Sequence, residues 1–340
     1  MSPKVTILIL NWNGRKWLEK FLPSVTKTTY KPLHILIADN GSTDDSLEFL
    51  KTHYPQIEIL VFDKNHGFTG GNNLALPYIK TPYFALLNSD VEVSPGWLEP
   101  LVALMEKEPL LATVQPKIMS FYEKGKFEHA GAAGGYIDKF GYPFCRGRLF
   151  EKTETDLGQY DDAQEIFWAT GACSLLRKSV VDKIGLFEPA FFAHMEEIDF
   201  CWRAKNHGYK VMYESKSVIF HVGGGTLSTG NPQKTFLNVH NSLAMIYKNL
   251  PKGKVFSKVL SRLLLDGVWS VQSLLKGDIQ TIGAIIKAHW KFFGKLSFWH
   301  KRRQETYPTL PISMPKTGYY PKSIVWQFFA RKNRTFSQLP

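Results

Sequence analysis

The chain has 340 residues, 44% hydrophobic and 21% charged, which excludes a disordered or low-complexity protein and leaves room for one large domain or two ordinary ones. The formal charge of +12 is uneven: residues 241–340 hold 17 Lys+Arg against 3 Asp+Glu, and the first 240 hold 25 against 27. The last hundred residues are therefore expected to face something anionic, phospholipid or nucleic acid.

Three cysteines, Cys145, Cys173 and Cys201, are far apart and form no CxxC, so neither a disulfide framework nor a zinc site is expected, and a reducing compartment fits. The apolar run before Asn11 is too short for a signal peptide, and no stretch reaches the roughly 18 apolar residues of a spanning helix. A cytoplasmic location is expected.

Val5 to Leu10 reads as a buried strand, and Trp17, Leu18, Phe21, Leu22 and Val25 follow at helical spacing. Leu33 to Ala38 is a second strand; "DNGSTDDS" supplies a turn and a helix start. Ile57 to Phe62 is a third strand, "NHGFTGGNN" opens another helix, and Tyr83 to Leu87 is a fourth strand. This alternation predicts an α/β fold with a doubly wound, mostly parallel sheet flanked by helices. Ligands bind beyond the carboxyl ends of such strands, where Asn11, Asp39, Asp63 and the Asn88–Asp90 group fall. From Gln115 to about Gly225, glycine runs and aromatics accompany short strands. From Asn238 onward the pattern is helical and basic.

Each polar motif admits two readings. In "ADNGSTDDS", Asp39 either belongs to a turn and helix cap or accepts a hydrogen bond from the imide of a uracil or thymine. "KNHGFTGGNN" is either a glycine-rich helix start or a ligand loop, and it lacks the endings of a P-loop or dinucleotide fingerprint. Asp90 in "LLNSDVEV" either caps a turn or, with Asn88 two residues before it, serves a hard divalent cation such as Mg²⁺ or Mn²⁺. Glu196, Glu197 and Asp199 are either dipole partners at a helix start or include a general base. His221, before the glycines of "VIFHVGGGT", is either structural or a ligand.

Taken together, "ILILNWNG", "ADNGSTDDS", "NHGFTGGNN", "LLNSDVEV", "WATGACSLLRKS", "EEIDFCWRAKNHGY" and "FHVGGG" resemble the family 2 glycosyltransferases of GT-A fold, in particular the bacterial rhamnosyltransferase-like branch. The resemblance spans roughly Val5 to Thr226. It implies that Leu10, Asn11 and Asn13 approach the nucleotide and that Asp39 binds its base. Asn65, Gly67 and Asn72 would line the nucleotide-sugar pocket, and Trp168, Gly171 and Ala172 the sugar and acceptor side. The family's Asp-x-Asp metal motif appears as Asn88-Ser89-Asp90, leaving Asp90 as the carboxylate ligand, with His221 as a second ligand. Glu197 would be the catalytic base, with Glu196 and Asp199 as fallbacks. The implied division is a catalytic domain over 1–236, its nucleotide-sugar half about 1–115 and its acceptor half about 116–236, and a basic amphipathic helical extension over 237–340. The implied activity is inverting transfer from dTDP-rhamnose or a UDP-sugar to a glycan or lipid-linked hydroxyl in cell-surface polysaccharide synthesis, assisted by Mg²⁺ or Mn²⁺.

Three other readings compete. A sugar nucleotidyltransferase would carry a glycine-rich, arginine-containing loop after its first strand, where this chain has "NWNGRKW". An NAD-dependent enzyme would show G-x-G-x-x-G. A non-catalytic, membrane-peripheral nucleotide-sugar-binding protein on a degenerate scaffold would lack the base and metal residues.

In the last hundred residues, Phe256, Val259, Leu260, Leu263, Leu264, Val268 and Val271 recur at helical spacing, with Lys258, Arg262 and Asp266 on another face. Ile282, Ile285, Ile286 and Phe293 stand against Lys287, Lys291 and Lys295. With Trp269, Trp290 and Trp299, these helices suit contact with an anionic membrane at the inner face of the cell membrane, or packing on the catalytic domain or on a second subunit as a homodimer. No nucleic-acid partner is expected, because no recognition motif accompanies the charge.

Overall fold

The computed structural model describes residues 2–223, 231–307 and 312–340. Its strands are β1 (Val5–Asn11), β2 (Leu33–Asp39), β3 (Glu58–Val61), β4 (Tyr83–Asn88), β5 (Val91–Val93), β6 (Leu111–Ser120), β7 (Gly135–Asp138), β8 (Pro143–Cys145), β9 (Arg148–Leu149), β10 (Lys152–Thr153), β11 (Ala163–Glu165), β12 (Cys173–Arg177), β13 (Lys210–His221) and β14 (Tyr319–Tyr320). Among the described residues, the main sheet runs β11-β13-β6-β12-β4-β1-β2-β3, with β5 paired to the end of β13. The four strands read from the alternating pattern, β3-β2-β1-β4, are parallel. Beyond them the sheet is mixed, because β12 inserts antiparallel between β4 and β6. A second sheet, β10-β9-β8-β7-β14, stands beside it.

The helices are α1 (Arg15–Thr26), α2 (Ser46–His53), α3 (Gly67–Ala75), α4 (Leu98–Lys107), α5 (Lys178–Ile184), α6 (Glu196–Asn206), α7 (Pro232–Asn249), α8 (Lys252–Leu275), α9 (Ile279–Gly294) and α10 (Leu296–Thr306). Side chains alternate across each strand. Leu8, Leu36 and Phe84 enter a core shared with α6 and α7. Val5, Ile7, Ile37 and Ala85 enter the opposite core, against α1 and α4. Burial on both faces is why these strands read as continuous apolar runs.

The expected boundary at 236/237 falls inside α7. Leu243, Ala244, Met245 and Ile246 of that helix are fully buried in the core that holds α6, and Phe292 and Trp299 join them. Trp299, expected at a lipid interface, is therefore an interior residue. The chain end also returns, with Ile324 and Phe328 packing on Phe144 and Leu149 of the second sheet. On α8 the polar side chains Arg262 and Asp266 are turned inward. Arg262 lies 3.8 Å over the Tyr142 ring and donates to the Gly141 carbonyl at 3.2 Å, and Asp266 meets His289 at 3.0 Å.

A buried ion network fastens α6 to α7. Asp199 has no exposed surface; it accepts from Arg203 Nε at 2.9 Å, from Lys248 Nζ at 3.2 Å and from Asn249 Nδ2 at 2.8 Å. Burial opposes its charge, but Lys248 and Arg203 outweigh burial and hold the carboxyl below its ordinary value. Lys248 also donates to Glu188 at 2.7 Å, and Arg302 of α10 reaches Glu188 at 3.2 Å. Removing one partner of such a set leaves uncompensated buried charge. Lys248→Met is expected to lower unfolding free energy by about 3–5 kcal/mol in urea titration. A loss under about 1 kcal/mol would mean that the network does not fasten the two helices.

Candidate functional site

Strand register assembles the polar tips. In the parallel ladder Asn11 stands beside Asp39, and Leu10 beside Asn88. Asn11 Nδ2 donates to Asp39 Oδ2 at 2.9 Å and to Ser42 Oγ at 3.2 Å, and the Ser42 N–H donates to Asp39 Oδ1 at 2.9 Å. Asn11 and Asp39 are both fully buried. Asn13, in left-handed backbone at φ 50°, accepts the Thr43 N–H at 2.7 Å. The two loops after β1 and β2 are thus one hydrogen-bonded unit built around Asp39. Asp63 stands outside this unit, exposed and paired with His66 at 2.8 Å.

Asn65 Oδ1 accepts from the Gly67 N–H at 2.8 Å and from Asn40 Nδ2 at 3.1 Å. Gly67 has φ +73°, and a Cβ there would fall 2.5 Å from the Phe192 ring and 2.6 Å from the Phe192 carbonyl. That carbonyl accepts the Thr69 N–H at 3.1 Å. The start of α3 is therefore seated against the loop that precedes α6. Asn72 is buried and bonds the Phe68 carbonyl of its own helix at 2.8 Å.

After Asn88 the chain turns at Ser89 and Asp90, and β5 pairs Val91 with His221. This brings His221 Nε2 to 3.2 Å from Asp90 Oδ1, while His221 Nδ1 lies 3.0 Å from Glu128 Oε2. All three are buried. Burial works against the charged imidazole, but its hydrogen bonds to Asp90 and Glu128 outweigh it and raise its pKa to about 10. Gly224 and Gly225, two of the glycines that follow His221, lie outside the described residues.

No group of three or more His, Cys, Asp or Glu side chains that could hold a metal occurs among the described residues. The Asp90–His221 pair nevertheless has a donor set that, once the imidazole gives up its Nε2 proton, fits a divalent cation with phosphate oxygens and water in its other positions. Glu128 engages Nδ1, which leaves Nε2 facing Asp90, the arrangement in which metal-ligating imidazoles are oriented by a carboxylate. Sequence reasoning missed Glu128, because "FEHAGAAGG" carries no periodic signal.

The segment Trp168–Ala172 links this corner to α6. Trp168 is a buried wall residue whose indole donates to the Tyr136 carbonyl at 2.9 Å. The Ala172 carbonyl accepts the Asn88 N–H at 2.9 Å. A Cβ on Gly171 would make only ordinary contacts, with the Phe68 ring at 3.4 Å and Glu197 Cβ at 3.9 Å, so Gly171 lies beside the base candidate.

Three carboxyls occupy the first turn of α6, and their surroundings separate them. Asp199 is consumed by the ion network. Glu196 and Glu197 each have a buried oxygen, Oε2, without a partner. Burial, with Glu197 alongside, holds Glu196 well above its ordinary value, and burial raises Glu197 to about 7. Glu197 adjoins a cavity of about 10 Å³ shared with Gly171, Phe200 and Cys201, room for about one water.

The loop presenting these acids is strained. Phe192, His194 and Met195 have φ of 64°, 70° and 72°, a conformation that surrounding contacts must hold in place. Asn241 of α7 supplies them, its Nδ2 donating to the carbonyls of Phe191 at 3.0 Å, Ala193 at 2.9 Å and His194 at 2.9 Å. His240 Nδ1 meets Asn241 Oδ1 at 2.8 Å and fixes the amide's orientation. Asn241 was also missed; its only sequence signal is the His-Asn pair inside an otherwise apolar helical stretch.

A model of glycosyl transferase family 2 matches residues 6–185. The chain belongs to that family. It is 23% identical over 263 residues to an N-acetylglucosaminyl-diphospho-decaprenol L-rhamnosyltransferase of Mycobacterium tuberculosis (strain CDC 1551 / Oshkosh), covering 73% of this chain and 84% of that one. It is 22% identical over 299 residues to a low-salt glycan biosynthesis hexosyltransferase of Haloferax volcanii, covering 84% and 90%. Its fold is similar to that of GalNAc-T7 crystallised with UDP, GalNAc and Mn²⁺, with a TM-score of 0.60 and 14% identity; the match covers 91% of this chain and 58% of that one. The chemistry of this glycosyltransferase is glycosyl transfer, and the mixed α/β sheet with its helical C-terminal region agrees with the fold class read from the sequence.

Asn241→Ala is expected to lower kcat about a hundredfold by releasing the loop that aims Glu197, while nucleotide affinity holds. Steady-state kinetics beside calorimetric nucleotide titration checks this, and an unchanged kcat would refute it.

Proposed function

We propose that this glycosyltransferase moves a sugar, with inversion, from a nucleotide-diphosphate donor to a hydroxyl of a glycan or lipid-linked acceptor in cell-surface polysaccharide synthesis. The observation that carries this reading is Glu197: a carboxylate with an unpaired oxygen and a pKa near 7, beside Gly171 and, through Ala172, next to the strand tip that holds Asp90. The name of the mycobacterial relative favours rhamnose as the sugar and a diphosphate-linked lipid as acceptor, while the ligands of the solved GT-A neighbour favour a UDP-sugar with a divalent metal. A lipid-linked acceptor would place the reaction at the cytoplasmic face of the cell membrane.

In this reading Asp39, held by Asn11 and Ser42, takes the base edge, and Leu10, Asn13, Asn65 and Gly67 shape the nucleotide-sugar pocket. Asn72 supports α3 from within. Asn88 and Ser89 carry the chain to Asp90, and Trp168, Gly171 and Ala172 wall the sugar and acceptor side. Asp90 and His221 Nε2 would hold Mg²⁺ or Mn²⁺, which when bound supplies Lewis-acid stabilisation of the leaving diphosphate. Glu197 takes the proton from the acceptor hydroxyl, and that oxygen attacks the anomeric carbon opposite the leaving group. One displacement with one carboxylate base inverts the configuration. Glu196, beside Glu197, keeps the site's ionisation shared between two carboxyls, and Asp199 acts as an anchor.

A base must be ionised to accept the proton. Because the Glu197 carboxyl is raised to about 7, kcat/KM is expected to rise with pH through about 7 and level above it. Glu197→Gln should remove that limb and lower kcat by about 10²–10⁴. A wild-type profile flat from pH 5 to 8 would refute the assignment. Calorimetric titration with UDP and dTDP, each with Mn²⁺ or EDTA, tests the donor site. One nucleotide is expected to bind only with metal, with affinity at least about tenfold weaker in Asp90→Ala. Equal binding in EDTA and in the variant would exclude Asp90 as a ligand.

A further inference from the structure

The outer face of α8 and α9 is apolar where a surface helix is ordinarily polar. On α8, Phe256, Leu260, Leu264, Val268 and Val271 are exposed, Leu264 by 65% and Val268 by 67%, while Arg262 and Asp266 on the opposite side are buried. On α9, Ile286, Trp290 and Phe293 are exposed, Trp290 by 78%. Apolar side chains exposed on two neighbouring helices mark an interaction surface. It is not a membrane span, since no helix among the described residues is long and apolar enough to cross a membrane.

The charge around the patch identifies what covers it. Exposed Lys252, Lys254, Lys276, Lys287, Lys291 and Lys295 lie along these two helices. Of the three acids after residue 240, Asp266 is buried and Glu305 pairs with Arg302, which leaves Asp278 at the α8–α9 turn. We propose that this face seats on an anionic phospholipid bilayer, its apolar side chains entering the boundary between headgroups and acyl chains and its lysines meeting lipid phosphates. A second copy of the chain fits less well. A twofold interface sets the same patch against itself, so lysines would meet lysines with almost no acid to offset them. The buried Arg262 and Asp266 explain how α8 turns its apolar side outward: Tyr142, Gly141 and His289 engage its polar side from within.

The surface would deliver the enzyme to a lipid-linked acceptor, and only that purpose rests on the proposed function; the binding itself does not. The test is flotation of the full chain with vesicles of phosphatidylglycerol and phosphatidylcholine in equal parts, and with phosphatidylcholine alone. The variant combines Leu264→Glu and Val268→Glu, and light scattering and nucleotide titration are run alongside. The wild type is expected to float with the anionic vesicles at least about tenfold more than with neutral ones, and the variant to lose at least about tenfold of that binding. Unchanged nucleotide titration and mass would accompany both results. Absence of flotation, equal flotation with neutral vesicles, or an equally floating variant would overturn the proposal. So would a dimer that the variant splits without any lipid binding, which would assign the face to a second copy. Loss of nucleotide binding in the wild type would count against the donor site and leave the membrane result standing.

Discussion

The buried charge of Asp199 is the constraint on which the site depends. A carboxylate with no exposed surface persists only where cations and donors replace water, and here they come from two helices: Arg203 from its own, Lys248 and Asn249 from α7. The same α7 carries Asn241, which holds the strained loop before α6. Fastening the helices through Asp199 therefore also fixes where Glu196 and Glu197 emerge. After residue 236, α7 and the Phe292 and Trp299 side chains are packed into the same core as α6.

Three carboxyls within four residues end in opposite states because their neighbours differ. Asp199 faces a lysine and an arginine and is held ionised, whereas Glu196 and Glu197 face apolar surroundings and one another and are pushed toward the neutral form. Such divergence separates structural from reactive carboxyls. A helix N-terminus favours all three alike, so the dipole does not choose among them; desolvation and pairing do.

The Asp90–His221–Glu128 chain follows the same logic across a longer sequence distance. The pairing of β5 with β13 places a strand-tip aspartate against a histidine from the far end of the domain. The third member comes from a loop with no pattern of its own. Asp90 and His221 were legible as candidates because each ends an apolar run. Glu128 was not, since its role exists only where three distant segments converge.

Local rules settled much of this protein in advance. Apolar runs bounded by Asn, Asp and Gly fix strands and their polar tips, because burial on both faces and turn geometry are short-range demands. The parallel half of the sheet, the site edge and the basic character of the last hundred residues follow from them. Tertiary structure alone decided the antiparallel insertion of β12, the burial of Trp299 and the inward turn of Arg262 and Asp266 on α8. It also decided which of the α6 acids is free. Helical spacing shows that two faces differ, not which one meets the protein. That choice depends on partners such as Tyr142 and His289, which fold into place from elsewhere in the chain.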